Sequence, residues 1–129
     1  MSEVRDLIGV PYKIHGRSKE EGFDCYGVVK EMVRRDYGIE LPDVDYKSLD
    51  EQEFIRNQLH TLACVEKIDN LQNKCIIELS VKGLPIHCGY YLEEGLFIHS
   101  RQRFGTIIEP ISRWKSKLVG VYKVKNSNI

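Results

Sequence analysis

The sequence lacks the long apolar segments that mark membrane-spanning and exported proteins. No run approaches the roughly 18 apolar residues that a transmembrane helix requires. The first ten residues carry Glu3, Arg5 and Asp6 and contain no apolar signal-peptide region. We therefore expect synthesis in the cytoplasm without a signal peptide and no membrane span.

The sequence also lacks an excess of charge of either sign. Lysine and arginine together number 19, as do aspartate and glutamate, so the formal net charge is zero. Proteins that bind nucleic acids or anionic membranes usually carry a surplus of basic residues. The composition therefore supports neither as the main partner.

Cysteine is present, but not in a metal-binding pattern. The four cysteines are Cys25, Cys64, Cys75 and Cys88, and no two of them form a C-x-x-C pair. Such pairs are typical of structural zinc sites, so no metal is expected. Without an export signal the thiols should stay reduced, although an even count leaves two disulfides open.

Internal repeats, low-complexity segments and linkers are lacking as well. A chain of 129 residues is long enough to bury a single core without disulfides or metals. The sequence predicts one domain over residues 1–125, followed by a frayed polar tail over residues 126–129.

The clearest local signal is a cysteine at the predicted start of an amphipathic helix. Apolar residues recur downstream at helical spacing: Val28, Val29, Met32 and Val33. Asp24 is the predicted N-cap, and Gly38 follows the predicted last residue. Cys25 would lie in the first turn, where backbone N–H groups and the helix dipole favour a thiolate. A buried, inert structural cysteine is the alternative.

Helical patterns dominate before about residue 63 and strand patterns after it. A short helix is predicted over residues 2–8, and a second amphipathic helix begins at the Ser48 capping box and runs to about residue 61–63. Short apolar or alternating runs follow at 65–68, 74–79, 86–92, 96–100, 106–109 and 118–124. This order predicts an α+β fold, with N-terminal helices packed on a central antiparallel sheet, a meander of about five to six strands.

Two of the four histidines lie on neighbouring predicted strands. His87 and His99 flank a predicted hairpin turn at residues 93–95, and their spacing fits opposing or diagonal positions of an antiparallel pair. A thiol nucleophile needs a base, and the base needs a polar group that fixes its tautomer. Cys25, His87 and His99 can supply these three parts. Alternatively, both histidines are ordinary strand residues.

Four motifs in register resemble the NlpC/P60 family of papain-like cysteine peptidases. They are Gly9-Val10-Pro11-Tyr12, Gly22-Phe23-Asp24-Cys25-Tyr26-Gly27, His87-Cys88-Gly89-Tyr90-Tyr91-Leu92 and Phe97-Ile98-His99-Ser100. The closing stretch at 114–122 also resembles the last strand of the family. The similarity runs from about Glu3 to Val124, which is nearly the whole chain.

The resemblance implies hydrolysis of amide bonds in peptidoglycan stem peptides, commonly between D-glutamate and the diamino acid, without a cofactor or metal. It implies that Cys25 is the nucleophile, His87 the general base and His99 the orienting residue. Tyr12 and Asp24 match family positions that contact the substrate or arrange the acyl centre. The Cys25 backbone N–H can help to stabilise the oxyanion.

Two positions depart from the usual family pattern. Tyr26 replaces the serine that usually follows the nucleophile, and Cys88 replaces a small apolar residue after the base. Tyr26 is expected at the rim of the cleft, where it would shape a substrate subsite. Together with residues 38–43, it resembles the phage tail-tip branch of the family, which implies phage tail proteins as partners and a virion-associated location. Cys88 is either a core residue or a second thiol near the site.

Two other functions remain compatible with these residues. The first is a non-catalytic module of the same fold that binds wall peptides or tail proteins. The second is a thiol acyltransferase or amidase, because the same acyl-enzyme chemistry serves other acyl substrates. A prepared thiolate at Cys25 would distinguish an enzyme from a binding module.

Overall fold

The computed structural model describes residues 3–42 and 64–125 of the chain. The predicted helix that begins at Ser48 lies outside these residues, as does His60. Within the described part, no helix has the length and apolar character needed to cross a membrane.

The N-terminal region forms less regular structure than the pattern indicated. Of the predicted helix at residues 2–8, the structure describes only a 3-10 segment at Arg5–Leu7. Ahead of the helix at Cys25 lies a short antiparallel pair of strands, β1 (Arg17–Ser18) and β2 (Gly22–Phe23), for which the sequence shows no strand pattern. Strands of two residues are too short to produce an alternating pattern, so the sequence could not reveal them.

One α-helix, α1 (Cys25–Tyr37), follows directly after β2. Both predicted caps are confirmed: the Asp24 carboxylate accepts from the Gly27 N–H, and Gly38 adopts a left-handed conformation at φ 68°. The four predicted apolar residues Val28, Val29, Met32 and Val33 are all buried. The buried face of the helix therefore matches the apolar spacing from which the helix was predicted.

A six-stranded antiparallel sheet forms the centre of the fold. Its strands are β3 (Val65–Ile68), β4 (Cys75–Val81), β5 (Leu84–Glu93), β6 (Leu96–Arg101), β7 (Gly105–Pro110) and β8 (Leu118–Val124). Strands β4 to β7 form a meander, and β8 returns to pair between β3 and β4. All six predicted runs are strands, and the α+β prediction is confirmed.

The predicted hairpin between β5 and β6 is confirmed in detail. Glu93 pairs with Leu96, so the loop consists of Glu94 and Gly95. Their φ angles of 53° and 81° are both positive, which is the requirement of a type I′ turn. The turn makes β5 and β6 neighbours, and a register shift between Tyr91 and Glu93 then brings His87 and His99 to the same face of the sheet.

The two faces of the sheet pack against different elements. One face carries Tyr90, Leu92 and Ile98, which pack with the buried residues of α1. The other carries Phe97 among its buried residues and packs against Trp114, from the 3-10 segment Ile111–Lys117. Because side chains alternate along a strand, consecutive residues of β5 and β6 reach opposite faces.

Gly27, in the first turn of α1, allows the preceding loop to approach the helix closely. A Cβ atom built at Gly27 would lie 2.2 Å from the carbonyl oxygen of Gly16. Helix propensity alone predicts that Gly27→Ala would stabilise the protein by about 1 kcal/mol. We expect the opposite sign, a loss of more than about 1 kcal/mol, because two backbone segments would have to separate.

Urea unfolding monitored by circular dichroism measures this difference. Arg34→Ala, at an exposed position of the same helix, is the control and should change the free energy of unfolding by less than about 0.5 kcal/mol. A Gly27→Ala variant as stable as the wild type would show that the close approach is not a constraint.

Candidate active site

A buried carboxylate fixes the start of α1. Asp24 is fully buried, and its Oδ1 accepts from the Gly27 N–H and from Nη1 of Arg17, each at 2.7 Å. Its Oδ2 accepts from the backbone N–H of His15 at 3.1 Å. The carboxylate thus joins the loop before β1 to the first turn of the helix. This holds the backbone of the adjacent Cys25 in place.

Cys25 is the first residue of α1 and is 1% exposed. Its Sγ lies 3.6 Å from Sγ of Cys88, which is fully buried on the face of the sheet that packs against α1. Both interpretations of Cys88 therefore hold. It is a core residue and also a second thiol beside the candidate nucleophile.

The two histidines of the candidate site are in direct contact, as predicted. Nε2 of His87 lies 2.8 Å from Nδ1 of His99. The β5–β6 register of Tyr90 with Ile98 leaves His87 diagonal to His99 across the position of Gly89. A Cβ atom at Gly89 would lie 3.2 Å from Cβ of His99, so a glycine leaves room for this ring.

A third polar residue, Glu109 on β7, extends this pair. Its Oε1 lies 2.7 Å from Nε2 of His99, and its Oε2 accepts from the indole N–H of Trp114 at 3.3 Å. The Arg101 guanidinium lies 3.4 Å from Oε1. Sequence reasoning missed Glu109. The available signal was an acidic residue at the end of an apolar run that pairs with the strand carrying His99.

Burial keeps both imidazoles neutral at neutral pH. Burial, with the charges of His99 and Arg101, lowers the pKa of His87 to about 3. Burial, with the charge of Arg101, also lowers the pKa of His99 to about 3. The Trp114 ring stacks near His87 at 5.9 Å and meets His99 edge-on at 5.3 Å. A neutral imidazole keeps one nitrogen able to accept a proton.

Two consecutive residues of β5 link the thiol to the histidines. Cys88 contacts the thiol of Cys25, while its neighbour His87 contacts His99. Cys25 therefore packs against β5 at the residue that follows His87. Chemically, the arrangement offers a thiol at a helix N-terminus together with a neutral base whose other nitrogen is held by a polar chain.

The expected substrate-contacting residues lie in different environments. Tyr12 is partly buried and forms an isolated bridge with Phe23, just before Asp24. Tyr26 does not lie at a rim as expected. Its side chain is fully buried, and its hydroxyl donates to the Pro42 carbonyl at 2.7 Å. The position faces inward on the first turn of α1, and the ring also packs 5.4 Å from the Arg17 guanidinium.

Two proteins of known name are similar to this chain in sequence. The gamma-DL-glutamyl hydrolase of Bacillus subtilis (strain 168) is 30% identical over 135 residues, covering 100% of this chain and 30% of that protein. The murein DD-endopeptidase MepS/murein LD-carboxypeptidase of Escherichia coli (strain K12) is 27% identical over 119 residues, with 91% of this chain and 57% of that protein covered. The chain thus spans well under two thirds of either relative.

A solved structure shares the fold. It is a protein of the NLP/P60 family, described as similar to lipoprotein, from Staphylococcus aureus subsp. aureus Mu50, with a TM-score of 0.65 and 24% identity. The likeness covers 92% of this chain and 38% of that one. The NlpC/P60 family model matches residues 9–123, nearly the whole of the chain. This chain therefore belongs to the NlpC/P60 family.

Proposed function

We propose that the chain is a cysteine peptidase that hydrolyses amide bonds in peptidoglycan stem peptides. Cys25 is the nucleophile, His87 the general base and His99 the residue that orients His87. The observation that carries this proposal is the 2.8 Å contact between the two imidazoles, one of them on the residue before Cys88, whose thiol lies 3.6 Å from that of Cys25. A binding module would not require a neutral base that is held by a second imidazole.

The proposed reaction begins with transfer of the Cys25 thiol proton to His87. The thiolate attacks the carbonyl carbon of the substrate, and the oxygen becomes an oxyanion near the N-terminus of α1, where the Cys25 backbone N–H can help to stabilise it. His87 then returns the proton to the leaving amine, which leaves a thioester on Cys25. Water hydrolyses the thioester and restores the thiol.

Asp24 serves this chemistry by holding the acyl centre in place. Its two oxygens already accept three hydrogen bonds from within the chain. This supports a positioning role for Asp24 more than direct contact with the substrate. Tyr12 is the residue that we propose contacts the substrate, because it is partly exposed next to the helix start.

We propose that the enzyme cleaves the amide bond between D-glutamate and the diamino acid of the stem peptide. The Bacillus subtilis relative is named as a hydrolase of γ-DL-glutamyl bonds, and the Escherichia coli relative as a murein endopeptidase. Both names fit a peptidase of the cell wall. A D-glutamyl amide would combine the two descriptions in one substrate.

We further propose a phage tail origin for the domain, with tail proteins as partners. This rests on Tyr26 after the nucleophile and on the segment at residues 38–43. The burial of Tyr26 against Pro42 gives this pair of features a structural reason, because the segment after α1 covers the residue beside Cys25.

The direct test is digestion of purified peptidoglycan, with mass analysis of the released fragments. Cleavage at a single amide bond supports the peptidase and identifies that bond. Transfer of the acyl group to an added amine without net hydrolysis would favour an acyltransferase. Binding to the wall without any fragment release would favour the non-catalytic module.

Cys25→Ala is expected to abolish fragment release and leave the fold intact, because it removes only the thiol at the helix start. Cys75→Ala is the matched control, since Cys75 is a buried thiol on the opposite face of the sheet whose pKa burial raises to about 11. The control should keep full activity. Release by a pure, folded Cys25→Ala protein would rule out the proposed nucleophile.

The histidines should show a graded loss of activity. His87→Ala removes the base and should approach the loss seen at Cys25, about 100-fold or more in kcat/KM. His99→Asn should retain more activity, because an asparagine can accept from His87 through its carbonyl oxygen. Equal losses in the two folded variants would contradict the roles of base and orienting residue.

Neutral imidazoles also make the fold sensitive to acid. Both histidines have a pKa of about 3 when folded, against 6.5 ordinarily, so the unfolded chain binds more protons between these values. Their contribution to stability is complete above pH 6.5 and is lost as the pH falls towards 3. Below pH 6.5 we expect the free energy of unfolding to fall by up to about 1.4 kcal/mol per pH unit for each histidine.

Urea unfolding at pH 7, 6 and 5 measures this slope. His99→Asn should reduce it by about half, because one of the two groups no longer titrates. Ile14→Ala, which removes no titratable group at an exposed position, is the control and should leave the slope as it is. A wild-type stability that does not change between pH 7 and 5 would contradict the neutral pair.

A further inference from the structure

We propose that Glu109 is a positioning residue that sets the direction of the hydrogen bond between His87 and His99. It thereby leaves Nδ1 of His87 as the proton acceptor. This inference rests on the proposed function, because it assigns a role in preparing the same base.

The hydrogen-bond partners of Glu109 show that it accepts a hydrogen bond from His99. The Trp114 indole N–H and the Arg101 guanidinium can only donate hydrogen bonds, and they face the two oxygens at 3.3 Å and 3.4 Å. A carboxylate is an acceptor at both oxygens, so it satisfies both donors at once. The remaining short contact, 2.7 Å to Nε2 of His99, is therefore donated by His99.

The direction of this hydrogen bond determines the tautomer of His99 and then that of His87. A neutral imidazole carries one N–H, so a proton on Nε2 of His99 makes its Nδ1 an acceptor. Across the 2.8 Å contact, Nε2 of His87 must donate. Nδ1 of His87 is left with its lone pair, which is the state that a general base requires.

The surroundings hold this arrangement in one geometry. His99 is fully buried and Glu109 is 9% exposed, with the Phe97 ring 4.5 Å from the His99 ring. The charged groups that face the network are Arg101, beside Glu109, and Lys117, whose Nζ lies 5.8 Å from the Trp114 ring. Both are cationic and oppose a proton on the histidines. Among the described residues that face the network, Glu109 is the one that brings a negative charge to stabilise an imidazolium at His87.

Glu109→Gln tests the role because an amide cannot accept at both ends. If its NH₂ faces His99, the direction of the chain reverses and Nδ1 of His87 carries the proton. If it faces Trp114 instead, two donors oppose each other and the negative charge is still lost. We expect kcat/KM for stem peptides to fall about 100-fold, within the range that general-base catalysis contributes, with KM changed less than about threefold.

Alkylation of Cys25 by iodoacetamide, followed by peptide mass mapping, gives a second readout that needs no substrate. Without the negative charge of Glu109, His87 takes the thiol proton less readily. The pH of half-maximal alkylation should therefore rise by about one unit or more in Glu109→Gln. Glu109→Asp keeps the charge and should recover part of the shift. Glu66→Gln, an exposed glutamate on β3, should match the wild type.

The outcomes separate this inference from the proposed function. A shifted alkylation profile in a protein whose wild type releases no peptidoglycan fragments would support Glu109 and overturn the peptidase. Normal hydrolysis and an unshifted profile in Glu109→Gln would overturn the role of Glu109 and leave the peptidase standing. A lower melting temperature with an unshifted profile would make Glu109 only structural and would also overturn the inference.

Discussion

The buried carboxylate of Asp24 is the constraint on which the site depends. It accepts hydrogen bonds of 2.7 to 3.1 Å from the His15 backbone, the Arg17 side chain and the Gly27 backbone in the first turn of α1. Burying a charge is costly unless it is paired and fully hydrogen-bonded, and here all three donors come from nearby in the chain. Because Cys25 is the next residue, the position of its thiol follows directly from this local network.

Burial and charge act in opposite directions at the histidines, and burial prevails. A hydrated imidazole near Glu109 would be expected to gain a proton, yet desolvation and the cationic Arg101 hold both pKa values near 3. The result is a pair of neutral rings, one of which is held by a carboxylate. A base that is neutral at rest can take a proton from a thiol without first losing one of its own.

Strong periodic patterns made most of the fold predictable. The helix at Cys25 and the six strands follow from apolar spacing, and the turn at Glu94-Gly95 follows from a glycine, which tolerates positive φ, between two strand patterns. The contact of the two histidines was predictable only in part: the turn places them on neighbouring strands, but the register shift between Tyr91 and Glu93 that brings both to one face leaves no pattern in the sequence. The helix, the strands and the turn depend on residues that are close together in the sequence, so one sequence is enough to predict them.

The features that were missed depend on contacts between distant residues. The contact of Glu109 with His99 requires the pairing of β6 with β7 and the placement of Trp114 by a 3-10 segment. The inward orientation of Tyr26 depends on the path of the chain at Pro42, sixteen residues later. Cys88 could be assigned to the core from alternation, but its 3.6 Å distance from Cys25 depends on how α1 packs on the sheet.

This short distance between two thiols makes the identity of the attacking sulfur the central claim to test. The most direct measurement is to quench the reaction with acid during turnover of a stem peptide and to locate the thioester by peptide mass mapping. If Cys25 is the nucleophile, the acyl group will be found on the peptide that contains Cys25. An acyl group on the peptide that contains Cys88 would contradict the assignment.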